Sequence, residues 1–133
     1  MSHWCLKYLG IPWSKHFDCW EFFRTVQREQ FGRDLPAIPL GDYRLGHKSK
    51  VIATHAERAN WVEVSQSELV DGDGVILFEN GSDSHVGVWI EADGGKVLHS
   101  TDPMGGQTSH LSDLLIAYDN VKFYRYVGAK CHC

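Results

Sequence analysis

The spacing of apolar residues along this chain changes from a helical to a strand period at the cluster Asp71-Gly72-Asp73-Gly74. Upstream, Cys19, Phe22, Phe23 and Val26 recur at helical spacing, which predicts a helix from Asp18 to about Phe31. Gly32 ends it, and Pro36 and Pro39 keep it from resuming. Trp4 to Leu9 predicts a short helix or turn, stopped by Gly10 and Pro12. The stretch from Ala37 to His47 reads as irregular, and Ser49 to Asn60 as a second helix with Val51, Ile52, His55 and Ala59 on one side. Trp61-Val62-Glu63-Val64 fits a strand or the end of that helix.

Downstream, Val75-Ile76-Leu77-Phe78 predicts a short apolar strand followed by a polar loop from Glu79 to Ser84. His85 to Glu91 alternates, with Val86, Val88 and Ile90 on one face and His85, Gly87 and Trp89 on the other. A turn at Asp93-Gly94-Gly95 leads into a third strand, Lys96 to Ser100. Leu111 to Ala117 reads as a short helix and Val121 to Val127 as a last, aromatic-rich strand. Helices first and antiparallel strands afterwards are the α+β layout, here in a single domain spanning 1–133 without repeats or a linker.

Composition narrows the function classes. The 133 residues are long enough to bury a core, and 43% hydrophobic with 23% charged residues is ordinary for a globular domain. A net charge of −4 without a basic run gives nucleic-acid binding no electrostatic support. Met1 to Lys15 lacks the apolar core of a signal peptide and no segment has the length of a membrane span. The expectation is a chain made in the cytoplasm, with its cysteines reduced and no membrane insertion. Cys131-His132-Cys133, with Cys5, offers soft ligands for zinc or an iron–sulfur cluster, but no second CxxC-type pair supports them. No metal or other cofactor is therefore expected.

The strongest chemical signal is Asp18-Cys19-Trp20-Glu21. Asp18 can accept from first-turn N–H groups, and Glu21, three residues on, completes a capping box. Phe17 and Phe22 have the spacing of a hydrophobic staple. Cys19 is then the first helical residue, beside the positive end of the helix dipole, where the field favours the nucleophilic thiolate. A cysteine sharing a face with Phe22, Phe23 and Val26 also fits a plain core position. The helix alone leaves both readings open.

A cysteine nucleophile needs a base, and the base an orienting partner. If Ile90 pairs with Lys96, antiparallel counting sets His99 opposite Gly87, on the face of His85 and diagonal to it. Gly87 has no side chain, so two imidazoles can approach above it, in a cleft whose floor is Val86, Val88 and Ile90. A slip of one residue would send His99 to the other face. Should His99→Ala leave turnover unchanged, Asp102 or Ser100 become the candidates. His47, His55, His110 and His132 read as surface or hydrogen-bonded residues, and His16 as a rim residue.

Several blocks resemble one family. Tyr8-Leu-Gly-Ile-Pro-Trp13, Phe17-Asp-Cys-Trp-Glu21 and Glu29-Gln-Phe-Gly-Arg-Asp-Leu-Pro36 resemble the opening of NlpC/P60 cysteine peptidases, and most of all the compact members encoded in phage tail modules. Asp71-Gly-Asp-Gly-Val-Ile-Leu-Phe78, Ser84-His-Val-Gly-Val-Trp-Ile90 and Lys96-Val-Leu-His-Ser100 resemble, in order, the family's strand before the histidine, its histidine strand and the strand of its third polar residue. The resemblance implies a papain-like α+β fold, with N-terminal helices packed on an antiparallel sheet. It implies Cys19 as nucleophile, His85 as general base and His99 as the residue orienting His85. Trp13, Asp18 and Trp20, around the nucleophile, become the candidate substrate-binding residues. Trp13 stands near a position where many members carry tyrosine, and Trp20 and Glu21 replace the usual small residues.

The implied substrate is the stem peptide of bacterial peptidoglycan, cleaved through a thioester. The implied setting is a phage or phage-like tail tip. Docking on a hub or baseplate protein is expected through the aromatic last strand, Phe123, Tyr124 and Tyr126, with the Cys131–Cys133 tail, by those of its residues that face away from the core. Two rival readings are a structural tail-tip or assembly component that keeps the fold, and a thioester-forming amidase or acyltransferase.

Overall fold

The computed structural model describes residues 3–36, 60–80 and 82–128. The expected helix from Ser49, the irregular stretch before it and Cys131-His132-Cys133 lie outside the described residues, apart from Asn60. A 3-10 turn at Trp4–Tyr8 precedes helix α1 (Cys19–Phe31). Strands β1 (Trp61–Val64), β2 (Gly74–Glu79), β3 (Ser82–Ile90), β4 (Lys96–Thr101) and β5 (Gly105–Ser109) follow, then helix α2 (Leu111–Ala117) and strand β6 (Asn120–Tyr126).

Helix α1 forms where its end signals place it. The Glu21 N–H donates to Asp18 Oδ1 at 3.0 Å, and Phe17 packs edge-on against Phe22 as a staple. Gly32 closes the helix at φ 67°, a left-handed conformation that suits a residue without Cβ. The capping box is only half made, because Glu21 turns its carboxylate to Arg24 Nη1, at 2.8 and 2.9 Å. An ion pair one turn along the helix offers the carboxylate a charged donor in place of a neutral N–H.

The strands form one antiparallel sheet in the order β1-β6-β2-β3-β4-β5. One face, with Ile76, Val86, Val88, Ile90 and Leu98, packs against Phe22, Phe23 and Val26 of α1. The other face packs Val75, Leu77, Val97 and Phe123 against Leu111 and Leu114 of α2. Trp61–Val64 is a strand, paired with β6.

Three expectations change. The polar loop from Glu79 to Ser84 is mostly hairpin: Asn80 turns the chain at φ 52° and β3 already starts at Ser82. A register shift between Leu77 and Phe78 absorbs an extra residue there. Strand β5 was not expected at all, because Gly105-Gly106-Gln107-Thr108-Ser109 has no apolar alternation. Its glycines serve close approach: a Cβ on Gly106 would overlap the Tyr8 carbonyl. The Gly10 N–H donates to Gly106 O at 2.8 Å and the Gly106 N–H to Ile11 O at 2.9 Å, which ties the segment entering α1 to β5. Finally, β6 is not an edge. It is bonded to β1 on one side and β2 on the other, and Phe123 is buried while Tyr124 and Tyr126 pack on the α1-side core. The aromatic strand therefore has no free backbone edge with which to dock a partner.

The Asp71-Gly72-Asp73-Gly74 cluster joins helix to sheet. Buried Gln27 donates from Nε2 to Gly72 O at 3.0 Å, and Arg33 Nη1 donates to the same carbonyl at 2.9 Å. The buried Asp73 carboxylate accepts from Arg125 Nε and Nη2, at 3.1 and 2.9 Å, and from the Val70 N–H. These bonds satisfy polar groups that burial would otherwise penalise, and they fix α1 relative to the start of β2. No helix among the described residues is long and apolar enough to cross a membrane.

Candidate active site

Strands β3 and β4 pair Val88 with Leu98, Trp89 with Val97 and Ile90 with Lys96, so the same register sets Gly87 against His99. A Cβ built on Gly87 would lie 2.5 Å from Val97 Cγ1 and 3.1 Å from His99 Cβ, so the glycine is what lets the strands carry these side chains together. Across the gap, His85 Nε2 and His99 Nδ1 are hydrogen-bonded at 2.7 Å. His99 Nε2 in turn meets Ser109 Oγ at 2.8 Å. A line of three polar side chains thus runs across β3, β4 and β5.

The histidines are covered rather than set in an open cleft. His85 is 8% exposed and His99 3%. Burial pushes the His99 imidazole down to about 4, so it is neutral near pH 7. Tyr118, just after α2, lies nearly parallel to the His85 ring, with centroids 6.3 Å apart. The same phenol lies within electrostatic reach of Cys19: burial pushes its pKa up, and charge on Glu79 and Cys19 pushes it further. Tyr118 is therefore the side chain near both the start of α1 and His85. The register shift just before His85 is of the kind that re-aims a side chain on its strand.

Cys19 is the first residue of α1 and 6% exposed. Asp18 is buried and spends its carboxylate on the cap, so it shapes the site through the helix start. Trp20 is 2% exposed, stacked on Phe23, and donates from Nε1 to Pro36 O at 2.9 Å. That position is core packing and offers no wall to a substrate. Trp13 is half-buried in the segment before α1, and His16 is exposed. Asp102 is exposed and Ser100 points to the α1 side of the sheet, so His99 is the residue that reaches His85. Ser109 and Tyr118 escaped the sequence reading: one sits on a strand without apolar pattern, the other on a helix exit. Cys5 is buried in the α1-side core, where burial pushes its thiol up. Among the described residues no three His, Cys, Asp or Glu side chains are grouped as metal ligands.

Comparison with known proteins bears on the fold and the family. The crystal structure of the NlpC/p60 domain of peptidoglycan hydrolase SagA matches at a TM-score of 0.55 and 20% identity, over 94% of this chain and 92% of that one. An NLP/P60 family protein from Staphylococcus aureus subsp. aureus Mu50, described as similar to a lipoprotein, matches at a TM-score of 0.56 and 19% identity. That match covers 94% of this chain but only 39% of the other, so this chain spans well under half of that relative's length. At such identities the likeness bears on the fold alone. No curated protein matches the sequence. The NlpC/P60 family, in contrast, matches residues 7–125, nearly the whole chain. On that match, with the six-stranded antiparallel sheet and its packed helices in agreement, this chain belongs to the NlpC/P60 family.

Proposed function

We propose that this chain is a cysteine endopeptidase that cleaves the stem peptide of bacterial peptidoglycan, with Cys19 as nucleophile, His85 as general base and His99 as the residue orienting His85. The observation that carries the reading is the 2.7 Å bond between His85 Nε2 and His99 Nδ1, in a chain whose helix-start cysteine lies within electrostatic reach of Tyr118, the ring parallel to His85. His85 takes the thiol proton and Cys19 Sγ attacks the amide carbonyl. N–H groups at the start of α1, that of Cys19 among them, stabilise the oxyanion. The protonated His85 then gives its proton to the leaving amine, and water hydrolyses the thioester. Family membership and the shared fold of a peptidoglycan hydrolase domain support the substrate class. The bond between D-glutamate and a diamino acid is the cleavage point proposed.

Purified muropeptides, analysed by mass spectrometry after incubation, test this reading. New fragments with a free amine and a free carboxyl, lost in Cys19→Ala, support hydrolysis. Products joined to another acyl acceptor would point instead to a transferase on the same fold.

The setting proposed is a phage or phage-like tail tip, with the protein held by a hub or baseplate protein. Support comes from the likeness of Tyr8–Trp13 and Phe17–Glu21 to compact members encoded in tail modules. Because β6 is paired on both sides, docking through it would use outward-facing side chains and not a backbone edge. Proteomics of purified particles is the test: abundant free enzyme and none in intact particles would favour a soluble lysis enzyme. A purely structural tail component would keep particle assembly in Cys19→Ala and show no muropeptide cleavage in the unaltered chain.

A further inference from the structure

The line of polar groups does not stop at His99. His99 is 3% exposed, so both of its ring nitrogens need partners inside the protein. They have them: Nδ1 faces His85 Nε2 at 2.7 Å and Nε2 faces Ser109 Oγ at 2.8 Å. A neutral imidazole carries one proton, so one nitrogen donates and the other accepts. The two possible tautomers have different consequences for His85.

If Ser109 donated to His99 Nε2, the His99 proton would sit on Nδ1 and point at His85 Nε2. His85 would then have to accept there and carry its own proton on Nδ1, which leaves it no nitrogen to take a thiol proton. Nor could such a pair survive protonation of His85, since an imidazolium donates from both nitrogens and two N–H groups would then face each other. Burial holds the His99 pKa near 4, so His99 cannot resolve the conflict by changing its charge near pH 7. In the other tautomer His99 Nε2–H donates to Ser109 Oγ and Nδ1 accepts from His85 Nε2–H. His85 Nδ1 then remains basic, and the same bond pattern serves the neutral and the protonated His85.

We propose that Ser109 is a positioning residue: its hydroxyl oxygen accepts the His99 Nε2 proton and so selects the tautomer in which His85 can act as a base. Ser109 is half-buried at the end of β5, so its own hydroxyl hydrogen can turn outward to water while the oxygen accepts. Its place is set by β5, where Gly105 and Gly106 admit the Tyr8–Ile11 backbone and the register sets Ser109 against Val97, two residues before His99. The inference rests on the peptidase reading, because the tautomer is chosen by the need for His85 to take a thiol proton; the spectrum below reads the tautomer directly, apart from any turnover.

The test is a long-range 1H–15N spectrum of the full chain, labelled with 15N-histidine, at neutral pH. The expected spectrum shows His99 protonated on Nε2 and unprotonated on Nδ1, with His85 protonated on Nε2. A His99 protonated on Nδ1 overturns the proposal. In Ser109→Ala, His99 should shift toward the other tautomer or a mixture. Turnover of muropeptide should then fall by about tenfold or more with little change in KM, as expected when a partner of a catalytic imidazole is lost. Ser109→Thr, which keeps the hydroxyl, should restore both readouts. An alanine variant with the unaltered tautomer and unaltered turnover overturns the role. A chain that shows the expected tautomers in all three forms yet cleaves no muropeptide would refute the peptidase reading and leave the tautomer selection standing.

Discussion

In Gly87→Ala the new methyl would sit 2.5 Å from Val97 Cγ1, 3.1 Å from His99 Cβ and 3.2 Å from Leu98 O. Carbon atoms pack at about 3.5–4.0 Å, so roughly 1 Å must be recovered at Val97 alone. Val97 is fully buried and cannot swing away without disturbing the α2-side core, so the strain falls partly on the spacing of β3 and β4. Overpacking of this kind costs about 1–3 kcal/mol, against roughly 0.5–1 kcal/mol returned by replacing glycine inside a strand. The net loss is about 1–2 kcal/mol. The site is more sensitive than the fold. The His85–His99 bond starts at 2.7 Å, and an opening of about 0.5 Å carries it to the limit of hydrogen-bond geometry. Urea unfolding followed by tryptophan fluorescence should show a lower midpoint with an unchanged slope. Turnover, measured where the variant is still folded, should fall by about tenfold. A variant as stable and as active as the parent would refute the register argument on which the site is built.

Further outcomes follow from other buried groups. Burial holds His99 at about 4 against an ordinary 6.5, so between those values the unfolded chain binds a proton that the folded chain does not. Stability is therefore complete above about pH 6.5 and falls toward pH 4, by about 3 kcal/mol in all, and His99→Gln should remove that slope in urea titrations at about pH 4 and about pH 7. Ser100 is fully buried, and its hydroxyl has no partner among the described residues. Ser100→Ala should raise the unfolding free energy by about 1 kcal/mol, and a loss of that size would show an unseen bond. Arg125→Met strips the buried Asp73 carboxylate of its charged partner. It should cost about 3 kcal/mol in a urea titration at neutral pH.

Local signals carried much of the architecture. The cap at Asp18, the Phe17–Phe22 staple and Gly32 fix α1 within the chain's own sequence, and each is observed. The sequence left the β3–β4 register open to a slip of one residue; the pairing assumed, Ile90 with Lys96, is the one observed, and Gly87 gives His99 room in it. Strand order was not legible, since nothing local in Phe123-Tyr124-Arg125-Tyr126 says that β6 enters between β1 and β2. Strand β5 escaped because its glycines answer to the Tyr8–Ile11 backbone and not to an apolar pattern, and Ser109 escaped with it. Trp20 was misread for a related reason. Adjacency to Cys19 suggested a substrate wall, yet a helix turns neighbouring residues about 100° apart, and Trp20 points into the core against Phe23. The covering of His85 by Tyr118 depends on tertiary packing of a helix exit that sequence periodicity does not describe.

The most direct test of Cys19 as nucleophile is capture of the acyl intermediate. The full chain would be mixed with muropeptide, quenched in acid during turnover and analysed by intact-protein and peptide mass spectrometry. The account predicts a mass increase equal to the acyl part of the cleaved stem peptide, located on the peptide that contains Cys19 and removed by hydroxylamine as a thioester is. Turnover accompanied by an adduct on another residue, or undiminished turnover in Cys19→Ala, would contradict it.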